Sequence, residues 1–165
     1  MMKLVSTDWL EALQAEFEVL AKGSLGFPSV VRGASCEEPP ADMEGAYLAL
    51  IPTEGPSCQV GLVSTSEGCR AFANALLGSA APDGPLSAAD VADAVCEVVN
   101  MLAGGVQRRL RQKSDLTLGL GLPTFFHGPV QTTDRLGVTA VRVRAGDFES
   151  ALLVVHPRTR SGQEG

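Results

Sequence analysis

Residues 87–112 read SAADVADAVCEVVNMLAGGVQRRLRQ, and their periodicity decides the kind of domain this chain forms. At 3.6 residues per turn, Val91, Val95, Val98, Val99, Leu102 and Val106 fall on one side of a helix, the pattern of an element lying on an apolar core. Asp90, Asp93, Glu97, Asn100, Gly104, Arg108 and Arg111 fall on the other. Ser87 is a good N-cap with an acid three residues on, and acids open the helix while arginines close it, as the helix dipole favours. Glu97 and Asn100, three apart, are neighbours on the polar stripe. Gly104 follows one turn later, a costly residue inside a helix unless something must come close.

The rest of the composition sets bounds around this helix. At 165 residues, 45% hydrophobic and 19% charged, the chain suits one globular domain over residues 1–157, with a disordered polar tail over 158–165. Only 5% of it is aromatic, so the core is aliphatic. A net charge of −6 argues against nucleic acid or an anionic membrane as the main partner. Cys36, Cys58, Cys69 and Cys96 show no C-x-x-C spacing and lie far from His127 and His156, which argues against a disulfide framework or a zinc site. With neither a leader nor a membrane-spanning run in the sequence, a cytoplasmic location is expected.

Outward from the central helix, the chain alternates helices and hairpins. A first helix over 8–22 is expected, capped by Ser6 or Thr7, with Trp9, Leu10, Leu13, Phe17 and Leu20 inward. A strand over 27–32 and a solvent loop over 33–45 follow. Strands over 46–51 and 59–64 form a hairpin, and a second helix beginning at Ser66 points Cys69, Phe72, Ala73, Leu76 and Leu77 inward before Gly78 stops it. Residues 79–86 read as a linker. Beyond the central helix, 116–122 is apolar and interrupted by glycine, and 137–144 and 148–156 make a second hairpin. Pro123 is expected to shape an edge or a bulge. No βαβ repeat, phosphate loop or nucleophile elbow is present in the sequence. The fold class is therefore α+β, a largely antiparallel or mixed sheet packed against helices that include one long central helix.

At the central helix, Glu97-Val-Val-Asn100-Met-Leu-Ala-Gly104 resembles the E-x-x-N-M-I-A-G signature of the CheX branch of the CheC/CheX/FliY chemotaxis phosphatases. Downstream, Leu120-Gly-Leu-Pro123-Thr-Phe-Phe-His-Gly128 is similar to that family's l-P-x-x-x-x-G strand, and the resemblance covers nearly the whole chain. It implies a CheC-like fold and hydrolysis of the aspartyl phosphate on a CheY-type receiver. On that reading Glu97 and Asn100 are catalytic: Asn100 orients the attacking water, and Glu97 pairs with the receiver's lysine. Asp93, Gly104 and Arg108 contact the partner. The chain needs no cofactor of its own, because the Mg2+ is supplied by the partner receiver, and a homodimer formed by edge-strand pairing is implied. The C-terminal strand, 151–155, is one candidate for that edge.

The sequence departs from the family where Gly105 stands in place of the usual Asn. The pair Gly104-Gly105 then has two readings, close packing against the sheet or room for a partner. The first helix carries Glu11-x-x-Gln14 rather than a second Glu-x-x-Asn, so one site per chain is expected. A rival reading keeps the fold as a non-catalytic binding or adaptor module in a two-component or flagellar complex. A small-molecule enzyme finds no nucleophile and base in the sequence, and His127 is not read as catalytic.

Overall fold

In the residues that the computed structural model describes, 4–38, 40–78 and 83–158, the chain builds three helices and seven strands. In order these are α1 (Ser6–Lys22), β1 (Val30–Cys36), β2 (Glu44–Pro52), β3 (Cys58–Ser64), α2 (Ser66–Leu77), α3 (Ala88–Ser114), β4 (Leu118–Leu120), β5 (Thr124–His127), β6 (Leu136–Ala145) and β7 (Phe148–Pro157). The strands join one antiparallel sheet of order β1-β6-β7-β3-β2-β4, with β5 also pairing with β2. This is the expected α+β architecture. The tail expected over 158–165 lies, apart from Arg158, outside the described residues, as do positions 79–82 of the linker.

All three helices cover one face of the sheet. Phe17 and Leu13 of α1, Phe72 of α2, and Val95, Val98, Leu102 and Val106 of α3 meet Leu48, Leu50, Val60, Leu62, Leu152 and Val154 in the main core. The other face carries a smaller cluster of Met43, Val63, Val138, Ala140, Ala151 and Leu153. β6 shows how one strand serves both: Val141 and Val143 belong to the helix side, Val138 and Ala140 to the opposite side.

Several boundaries move from their expected places. The cap of α1 is Val5, not Ser6 or Thr7: the Val5 N–H donates to Asp8 Oδ2 at 2.9 Å, so both hydroxyl residues lie within the first turn. β1 runs from Val30 to Cys36 where 27–32 was expected, which takes Gly33, Ala34 and Ser35 out of the predicted loop. As an edge strand with residues 31–35 exposed, it has no buried alternation to betray it, and its register with β6 shifts between Arg32 and Ser35. The C-terminal strand is not an edge. β7 lies mid-sheet between β6 and β3, with residues 151–154 buried. Here β propensity and a late position in the chain say nothing about the place of a strand in a sheet.

The opposite edge carries a local irregularity. Leu120 stands across from Leu50, Gly121 donates its N–H to Ala49 O at 2.8 Å, and Thr124 stands across from Tyr47. Between these pairs, Leu122 and Pro123 together face the single residue Leu48, which is a β-bulge separating β4 from β5. Pro123 thus shapes the edge as its ring chemistry suggested.

Candidate functional site

The site is built on α3, and the sequence explains how firmly that helix is held. Ser87 Oγ accepts the Asp90 N–H at 3.1 Å, and Asp90 Oδ2 accepts the Ser87 N–H at 3.2 Å, a closed capping box. At the far end Asp115, in the left-handed region at φ 55°, returns its N–H to Arg111 O. Along one flank Arg109 pairs with Glu16 and Lys113 with Asp8, both partners on α1. The hydrogen bond from Lys113, helped by the Val5 N–H, holds the Asp8 carboxyl below its ordinary pKa. This tether therefore stabilises at neutral pH and is lost as acid protonates Asp8. Along the other flank Gln107 Nε2 donates to the carbonyl of Leu118 on β4.

Held in this way, α3 turns one stripe to solvent. Asp93, Glu97, Arg108 and Arg111 are exposed, and Asn100 and Gly104 are half-buried. Five of these residues, Asp93, Glu97, Asn100, Gly104 and Arg108, were the candidates from sequence, and the helix brings all five onto one face. Among the described residues, neither the Glu97 carboxylate nor the Asn100 amide has a side-chain partner, and no buried polar side-chain atom is left without a hydrogen bond. Both groups are therefore available to an outside molecule. The charge along the stripe is graded, with acids toward the N-terminal half and arginines toward the C-terminal half.

The glycine pair divides into two roles. A Cβ on Gly105 would stand 2.1 Å from Glu16 Oε2, so the bare backbone of Gly105 makes room for the Glu16 side chain that α1 lays over it. Close packing was one expected reason, but the neighbour is α1 rather than the sheet. A Cβ on Gly104 would meet only Arg108 Nη1, at 3.7 Å, in otherwise open space. Nothing inside the chain requires glycine there.

Other candidates settle as structure. Glu44 accepts from Ser66 Oγ at 2.9 Å and lies 3.0 Å from His127 Nδ1, tying β2 to α2 and β5; the carboxylate stands between hydroxyl and imidazole, so no hydroxyl-activating base is formed. Burial pushes the thiols of Cys58 and Cys69 up to about 11 and about 12, and raises Cys96 with help from Asp93. Such thiols are poor nucleophiles. Sequence reasoning missed the Gln107 tether and the exposed leucines of the bulged edge. The signal for the edge was available in Leu120-Gly-Leu-Pro123, an apolar run broken by proline.

The family model for Chemotaxis phosphatase CheX matches residues 47–144, more than half of the chain and the whole of α3. The chain belongs to the CheX family. Solved CheX structures agree in fold. The CheX of Desulfovibrio desulfuricans is 18% identical, with a TM-score of 0.68 over 93% of this chain and 98% of that one. The CheX of Vibrio vulnificus is 12% identical, with a TM-score of 0.72 over 89% and 97%. The CheX in a CheX–CheY–BeF3–Mg2+ complex from Borrelia burgdorferi is 14% identical, with a TM-score of 0.67 over 93% and 97%. No curated protein sequence matches the chain. In this CheX-family chain, no helix among the described residues is long and apolar enough to cross a membrane.

Proposed function

We propose that this chain dephosphorylates a CheY-type receiver, with α3 entering the receiver's phosphorylation cleft. One observation carries the reading: a carboxylate and an amide three residues apart, both without internal partners, stand on a helix clamped at both ends and along both flanks. An acyl phosphate is already activated, so a catalyst need only position water in line and stabilise charge. Asn100 orients that water. Glu97, ionised, pairs with the receiver's lysine and sets the depth of docking. Asp93 and Arg108 select the partner by charge, and the magnesium belongs to the receiver. The family match supports the reaction, and the Borrelia complex supports the class of partner.

The direct test adds the chain in amounts far below the receiver and follows phospho-receiver decay. Multiple turnovers per chain are expected. An effect seen only at equal stoichiometry would favour the non-catalytic adaptor instead.

Gly104→Ala separates stability from function. The added methyl enters open space and improves helix propensity, so stability should rise by about 0.5–1 kcal/mol. The same methyl stands where the receiver must approach, so the rate should fall. A variant both more stable and equally active would remove Gly104 from the interface.

In the same reading a second copy pairs along β1, the open edge of the sheet whose residues 31–35 are exposed. The other edge is left free for the receiver. Light scattering should return the mass of two chains, and the mass of one would end this part of the reading.

A further inference from the structure

The β4–β5 edge lies beside the stripe, and two of its leucines, Leu120 and Leu122, stay outside the core that Leu118 joins. Asn100 and Gln107 are seven residues apart, two helical turns, and so share one side of α3. Gln107 bonds to the Leu118 carbonyl, which puts that side of the helix against β4. After the turn at 115–117 the strand comes back along the helix. Two turns of helix cover about 11 Å and four extended residues about 13 Å, so ideal rises carry the edge from Leu118 toward the end of the helix that holds Asn100, and α3 touches β5 as well as β4. Leu120 lies across from core residue Leu50, on the helix side of the sheet, and Leu122 shares the position facing Leu48, also on that side. Even so, Leu120 is 40% exposed and Leu122 is 89% exposed. At the bulge of Leu122–Pro123 a leucine is left in solvent on the side where its neighbours Leu48 and Leu50 are fully buried. Bulges re-aim side chains beside functional sites.

We infer that Leu120 and Leu122 form an apolar rim of the receiver-docking surface, seating a hydrophobic border of the receiver's cleft while Glu97 and Asn100 enter it. This deepens the phosphatase reading and rests on it. The occupant follows from continuity, since a receiver docked at Asn100 meets next the β4–β5 edge that α3 touches on that side. The rim supplies affinity and takes no part in the chemistry. Loss of an apolar contact of leucine size corresponds to about a tenfold or larger change in affinity.

The test titrates receivers from the same genome, loaded with Mg2+ and beryllofluoride, against the wild-type chain, Asn100→Ala, Leu122→Ser and Leu122→Met. The expected result is equal Kd for the wild type, Asn100→Ala and Leu122→Met, and a Kd raised about tenfold or more for Leu122→Ser, with an unchanged melting temperature. Equal Kd for Leu122→Ser overturns the rim and leaves the phosphatase reading standing. If no receiver is bound or dephosphorylated by the wild type, the phosphatase reading falls, and the rim's occupant with it.

Discussion

Asn100→Ala is expected to lower the catalysed dephosphorylation rate at least about a hundredfold while the chain folds as before. The size follows from removing a single prepositioned hydrogen-bonding group from a reaction that depends on positioning, where losses of 10²–10³ are usual. Intact folding follows because Asn100 is half-buried, has no side-chain partner among the described residues, and occupies a helix interior where alanine is the better former. Glu97→Gln supplies the contrast. It keeps the shape and loses the charge, so the defect should appear mainly in KM, as weakened pairing with the receiver's lysine, and should diminish at high receiver concentration. An Asn100→Ala chain that still turns over at the wild-type rate would remove the water-orienting role. If both variants are inert and also fail to bind a beryllofluoride-loaded receiver, the two residues serve docking rather than reaction.

The second large effect is on stability. Gly45→Ala should destabilise the fold by about 3 kcal/mol or more, a loss on the order of 10 °C in melting temperature for a chain of this length. A Cβ at position 45 would stand 1.9 Å from Leu62 O and 2.7 Å from Val63 Cα. Those are backbone atoms of β3, and β3 cannot retreat. Its other edge is fixed by β7 through the pairs Leu62↔Leu152 and Val63↔Ala151, all buried. The clash has to be relieved by breaking ladder hydrogen bonds or bending β2, and either costs more than a side-chain shift. Gly104→Ala, the same change in open space, is the control. Chemical denaturation of both variants checks the contrast, and equal midpoints would refute the steric argument.

The central helix was legible from its residues because its signals are local: a 3.6-residue apolar period, a Ser–Asp capping box and a graded charge, all within one window. The candidate stripe came with it, since residues at i, i+3, i+4 and i+7 must share a face whatever the helix packs against. The hairpins β2–β3 and β6–β7 were legible for the same reason. What escaped depends on distant partners. A strand was expected at β1, but its run on to Cys36 hides because an edge strand needs no apolar alternation. Gly105 makes sense only beside Glu16, which reaches it from the first helix. Pro123 announced an edge or a bulge, but the register of that bulge exists only in relation to β2, and the exposure of Leu122 cannot be told from composition.

The sheet order also sets a timetable for making the protein. β6 and β7 are the last strands among the described residues, yet they fill the middle of the sheet between β1 and β3. As the chain leaves the ribosome, β1 emerges early and has no neighbour until β6 follows. The β2–β3 hairpin closes at once through its own short loop. α3 emerges before Leu152 and Val154, two of the residues on which it rests. The nascent protein therefore carries an exposed helical probe and two orphaned sheet edges until its final strand arrives. A chain stopped short of Phe148 would be a ready client for chaperones and not a smaller working domain.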